Sequence, residues 1–165
     1  MYSTIAEFVD DWTRESATSL KVQKVLTDPS LQQKTDPEGR TLGQIAWHMV
    51  IMIGMTGSVA GLEVEAPPRG TEAPASAARI ADAYDKAARS MSQQASANLK
   101  DAQLSSELPY FGRSLPMAGV LDSLIRHQIH HRAQMTVLLR QAGVVPPGVY
   151  GPSREESAAM RAKKA

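Results

Sequence analysis

Apolar residues recur along most of this chain at three- and four-residue spacings, broken in a few places by proline and glycine, and this pattern predicts four long amphipathic helices. In the first, from Ser3 as N-cap to about Leu26, the residues Ile5, Phe8, Val9, Trp12, Leu20 and Val25 form a stripe, with Glu7, Asp11, Arg14 and Lys21 at its sides. A polar loop with Asp36, Pro37, Glu38 and Gly39 follows. The second helix starts at Thr41, a capping residue type, and ends at Gly61 or Leu62. The third begins within 74–77, beyond the proline-rich EVEAPPRG, and runs to about Leu99 with Ile80, Tyr84, Ala87, Met91, Ala95 and Leu99 on one side. Residues 105–115, SSELPYFGRSL, have no helical period and contain Pro109 and Gly112, so they read as a long loop. The fourth helix starts near Pro116, tolerated in a first turn, and stops before Gly143. These elements predict an all-α, up-and-down four-helix bundle about 30–40 Å long. It occupies residues 1–152, and 153–165 form a helical but weakly apolar tail, free to move.

The second helix raises a separate question, because Ile45–Leu62 spans 18 residues without Asp, Glu, Lys or Arg, the threshold for a membrane span. His48, Thr56, Ser58 and three glycines within it, and the lack of a second such segment, favour a buried core helix instead. The glycines Gly54, Gly57 and Gly61 would permit close helix contact, within the core or across a dimer. The start, MYSTIAEFVDDW, has no basic stretch leading into an apolar run, so a cytoplasmic protein is expected. A net charge of +1 supplies no field for a polyanion, and only Arg161, Lys163 and Lys164 are locally basic, so neither nucleic acid nor membrane is an expected partner. With no cysteine, any metal must be held by imidazole and carboxylate.

That restriction directs attention to RHQIHHRAQ, 126–134, which holds three of the four histidines. At about 100° per residue, Met117, Val120, Leu124, His127, Met135, Leu138 and Ala142 all lie within roughly 40° of His131. His127 and His131 therefore face inward, and His130 and Arg132 stand on opposite flanks. Side chains four apart on a helix have Cβ atoms about 5–6 Å apart, close enough for both rings to reach one ion. On the second helix His48 shares its side with Ile51, Met52, Met55 and Val59, so a third imidazole is expected to face the interior. A lone core histidine is commonly satisfied by a hydrogen bond. Three on two core helices favour a shared metal site, although the spacing permits chelation without proving it.

HQIHHRAQ, the following LLRQAG at 138–143 and TLGQIAWH at 41–48 resemble the DinB/YfiT-like superfamily of four-helix bundle proteins. The resemblance covers nearly the whole chain. It implies that His48, His127 and His131 ligate one divalent metal, zinc or nickel first and iron or manganese as further candidates, with His130 a non-ligand. Ala133 stands where many relatives carry glycine. Three imidazoles leave coordination positions open, as in catalytic sites. The resemblance further implies a metal-dependent enzyme, a thiol S-transferase or a hydrolase, acting on a small-molecule substrate with a low-molecular-weight thiol such as bacillithiol or mycothiol, and a homodimer. The alternatives are a non-catalytic metal-binding stress-response bundle and a dimeric interaction module. No catalytic side chain is assigned. Gln44 could orient a ligand, Arg132 reads as a surface ion pair or a carboxylate binder, and Gln134 is ambiguous. Tyr110, Phe111 and Arg113 could cover the open position from their loop, and Met52, Met55 and Met135 read as core filling.

Overall fold

The computed structural model describes residues 1–163, and Lys164 and Ala165 lie outside them. Four helices form the bundle: α1 (Ile5–Gln23), α2 (Leu42–Val59), α3 (Ala77–Asn98) and α4 (Met117–Gln141). Thr4, one residue after the predicted cap, accepts from the Glu7 amide while the Glu7 carboxylate accepts from Thr4, which closes a capping box. Thr41 and Gln44 build the same box on α2. At the other ends Gly61 and Gly143, with φ of 77° and 76°, reverse the chain. Leu62 then donates to the Gly57 carbonyl and Val144 to that of Leu139, so both core helices stop in the hydrogen-bonded glycine motif that their sequences predict.

α1 and α2 each pack against both α3 and α4, so the order around the bundle is α1, α3, α2, α4. Two of the three connections therefore cross diagonals. The 60–76 connection lies along α2: Val64 and Ala66 fill the space where a Cβ on Gly57 or Gly54 would sit. The Trp47 indole fixes its far end by donating to the Thr71 carbonyl at 2.9 Å. The glycine face is thus closed by the chain's own linker, not held open for a second copy. α2 is the one described helix apolar enough to cross a membrane, and 61% of that stretch is buried inside the bundle.

The segment expected to be a long loop, 105–115, is instead, after a short 3-10 turn (Asp101–Ser105), mostly an antiparallel hairpin, β1 (Glu107–Tyr110) with β2 (Arg113–Pro116). Its two-residue turn, Phe111–Gly112, has positive φ at both positions, 47° and 76°, the twist that suits a tight hairpin. Pro109 inside β1 disguised the strand. A two-stranded hairpin is marginal alone, and this one is held by packing on α4 and α2.

α1 ends at Gln23, not Leu26. Its buried stripe also changes character midway, from Ile5, Phe8 and Trp12 to Ser16 and Ser19, because Arg132 enters there from α4. The Arg132 guanidinium is 1% exposed and donates to the Glu15 carboxylate at 2.6 Å, the Glu15 carbonyl at 3.0 Å and the Ser19 hydroxyl at 3.1 Å, with the Tyr150 hydroxyl a fourth partner. The surface role expected of Arg132 is therefore wrong: it is a buried ion pair tying α4 to α1. In the tail, α5 (Arg154–Ala162) forms without a buried residue and is held by polar contacts, Arg140 with Glu155 and the Gly148 amide with Glu156.

Candidate metal centre

The three histidines predicted from the sequence come together. His127 and His131 lie on successive turns of α4, and His48 reaches them from α2. Their Nε2 atoms converge, His127 lying 3.0 Å from His48 and 3.1 Å from His131. Among the described residues this is the group able to hold a metal ion. His130 is exposed on the flank, its ring 4.9 Å from that of His131. His48 differs from expectation in its surroundings. The fully buried face of α2 carries Leu42, Ala46, Met49, Val50 and Ile53, while His48, Ile51, Met55 and Val59 are half-buried along a cleft. Both faces of α2 are apolar, so periodicity could not tell the core side from the cleft side.

The nitrogen arrangement fits one shared cation better than any set of hydrogen bonds. His131 Nδ1 lies 2.7 Å from Gln134 Oε1, which assigns the proton to Nδ1 and a lone pair to Nε2. His127 Nε2 offers a single in-plane proton or lone pair. If it donates to His131, it cannot accept from His48; if it accepts from His48, it faces the His131 lone pair. One of the two short contacts therefore stays unmatched in every neutral tautomer, whereas a cation at the common focus satisfies all three. Metal–nitrogen bonds of about 2.0–2.1 Å separate ligand nitrogens by about 2.9 Å at right angles and about 3.3 Å at tetrahedral angles. The observed 3.0 and 3.1 Å fall between these limits.

Electrostatics keep the rings in the ligating form. Burial pushes the His127 imidazolium down to about 3, helped by His131 and His48. Burial and His131 lower His48 to about 4. For His131 burial lowers the pKa, and the Gln134 hydrogen bond opposes it only in part. The Arg40 guanidinium adds to the downward push on all three. Neutral imidazole is the form that binds a metal. His127 Nδ1 is buried and has no hydrogen-bond partner among the described residues, the one unsupported position in the cluster.

The site is open. A cleft of about 390 Å³ reaches His48 and His127 between Arg40, Ile51, Met52, Met55, Arg69 and Phe111, and a second of about 360 Å³ reaches His131 and Gln134 beside Arg40. Phe111 covers the site from the hairpin tip as predicted, with Tyr110 buried behind it at a centroid distance of 4.7 Å. Arg113 is exposed on β2 and lines neither cleft. Of the methionines, Met135 and Met52 are buried in the core, Met52 also touching the cleft, whereas Met55 is half-buried in the cleft wall. Gln44 serves as the capping partner of Thr41.

Two contributors were missed in the sequence. Gln128, fully buried, donates to the Met49 carbonyl at 3.1 Å and accepts from the Tyr84 hydroxyl at 3.0 Å. It fixes α4 to α2 one residue from His127 and, across the contact, one residue from His48. Its inward position was readable on the wheel, but a polar residue between two histidines carried no signal of its own. Arg40, immediately before the α2 cap, sits in a loop where no periodicity marks it.

The family model described as DinB matches residues 1–164 of the chain. The uncharacterized protein YrdA of Bacillus subtilis strain 168 is 40% identical over 156 residues, covering 94% of this chain and 93% of that protein. A DinB-like protein from Bacillus cereus ATCC 10987, solved by crystallography, is 43% identical and superposes with a TM-score of 0.86, covering 91% of this chain and all of that one. A second DinB-like crystal structure, YjoA of Bacillus subtilis, shares the fold at a TM-score of 0.69 and 17% identity, covering 90% of this chain and 99% of that one.

Proposed function

Since the chain belongs to the DinB family, we propose that it binds one divalent metal through His48, His127 and His131 and works as a metal-dependent enzyme that activates a thiol or a water molecule. The observation that carries this reading is the meeting of three neutral imidazole nitrogens, at 3.0 and 3.1 Å, on the floor of an open cleft. An ion with three nitrogen ligands and free positions supplies Lewis acidity, lowering the pKa of a bound water or holding a sulfur as thiolate.

The chain's own residues do the rest. Gln134 sets the His131 tautomer, Gln128 holds α2 and α4 in register, and Ile51, Met55 and Phe111 give the cleft an apolar wall that limits water. The reading includes a small-molecule substrate, which a cleft of about 390 Å³ suits, and a cytoplasmic setting. A homodimer within it would use a face other than Gly54 and Gly57, which the linker fills.

The test is metal content by plasma mass spectrometry on untagged protein. Near-stoichiometric zinc, nickel, iron or manganese is expected, and is lost in His48→Ala and His131→Ala. Absence of bound ion after incubation with each candidate metal would sink the site. Loaded protein should then consume a low-molecular-weight thiol in the presence of an electrophile, or hydrolyse an ester, faster than chelator-stripped protein.

A second reading rests on the ligands' coming from two helices: the ion could act only as a link between α2 and α4. Absence of any metal-dependent turnover favours it. Equal melting temperatures with and without metal remove it.

A further inference from the structure

The cleft over the histidines is built from two kinds of surface. One wall is apolar, with Ile51, Met52, Met55 and Phe111. The mouth carries two guanidinium groups, Arg40 and Arg69, on loops that approach from opposite ends of α2. Both are exposed, and neither forms an ion pair or a side-chain hydrogen bond among the described residues. In contrast Arg14, Arg89, Arg126, Arg132, Arg140 and Arg154 all pair with carboxylates. Arg79, Arg113 and Arg161 are also without a carboxylate partner among the described residues, but none of them lines this cleft; Arg40 and Arg69 are the unpaired arginines that share it. The cleft also takes no acid into its lining, and Arg40 lies close enough to depress all three histidines. Two unpaired cations beside the neutral imidazoles of His48 and His127 leave this cleft electropositive; the acid Glu72 belongs to the adjoining cleft that shares Arg40 and His48.

We infer that the cleft binds a small organic carboxylate, its acid group held by Arg40 and Arg69 and its apolar body lying against Met55 and Phe111 toward the histidines. Guanidinium groups bind carboxylates through paired, charge-assisted hydrogen bonds. The volume, about 390 Å³, accommodates a molecule of ten or so heavy atoms. Fixing the acid at the mouth orients the other end of the molecule toward His48 and His127. The inference deepens the functional reading and rests on it for what happens at the histidines, but the binding itself depends on the arginines and the apolar wall and not on the metal.

The probe is 4-phenylbutyrate, compared with 4-phenylbutanol, which has the same body and no charge. Titration calorimetry on the full chain, as isolated and after metal removal, should find the acid bound about ten-fold or more tightly than the alcohol in both forms. Arg40→Gln and Arg69→Gln should each weaken the acid by about ten-fold and leave the alcohol unchanged, while Arg79→Gln, on an exposed part of α3, changes neither. Both loop arginines are exposed, so these variants fold. Equal affinity for acid and alcohol, wild-type affinity in both arginine variants, or no binding of the acid at about 10 mM each overturns the proposal. So does binding that disappears with the metal and ignores the arginines, since the carboxylate would then be a metal ligand. Arginine-dependent binding in a protein that takes up no metal would leave this proposal standing while the metal reading fails.

Discussion

His127 is the pivot of the cluster, the ring whose Nε2 meets both others and whose second nitrogen has no partner. Its pKa of about 3 and that of His48, about 4, fix how the metal-free protein responds to acid. In the unfolded chain these rings take up protons near the ordinary histidine value of about 6.5; in the folded chain they resist until far lower pH. The unfolded state therefore binds more protons through that interval, and stability is full above it and falls as pH drops from about 6.5 toward 4. Urea midpoints of stripped protein should be lower at pH 5 than at pH 7.5, and the difference should shrink in His127→Ala. Equal midpoints at the two pH values would mean that the imidazoles are not held neutral by burial. At this scale the sequence was informative about which residues meet. It was silent about the Gln134 hydrogen bond and the proximity of Arg40, which depend on side-chain direction and on a loop.

Between elements, the contact that places His48 opposite His127 is the Gln128 bridge, with one fully buried amide serving both the Met49 carbonyl and the Tyr84 hydroxyl. Gln128→Leu keeps the volume and strands both partners, so it should destabilise the fold by about 1–3 kcal/mol. Because the bridge also sets the spacing of the ligands, metal affinity should fall as well. Denaturant unfolding and a competition titration with a chromophoric chelator measure the two effects, and a variant that lost stability but bound metal normally would reduce Gln128 to a packing residue. Helix stripes and caps were legible because each rests on neighbours within one turn, as Thr41 and Gly143 illustrate. The β1–β2 hairpin was not, since Pro109 breaks its alternation and its support comes from α2 and α4. Arg132 was misplaced for a similar reason: a wheel gives its angle, and the small serines of α1 that admit it lie more than a hundred residues away.

Across the whole molecule, the order α1, α3, α2, α4 puts the two histidine-bearing helices side by side, and the diagonal crossings require long connections. Those two connections supply the Arg40 and Phe111 walls of the cleft, and the linker between the neighbouring α2 and α3 adds Arg69. Legibility ended at this level, because the pattern of each helix is compatible with several arrangements. Phe111 shows what such a wall demands. It holds a φ of 47°, a region that suits glycine or asparagine and strains a bulky side chain, and it leaves its ring 66% exposed over the site. A chain selected for durability alone would have no reason to keep it. Phe111→Asn should raise the melting temperature by relieving about 1 kcal/mol of backbone strain while weakening 4-phenylbutyrate binding, and thermal scans beside calorimetry would show both. If both shifts are found, position 111 marks a compromise in which thermal resilience is surrendered for a better grip on a ligand, and laboratory selection for heat tolerance should discard the phenylalanine early.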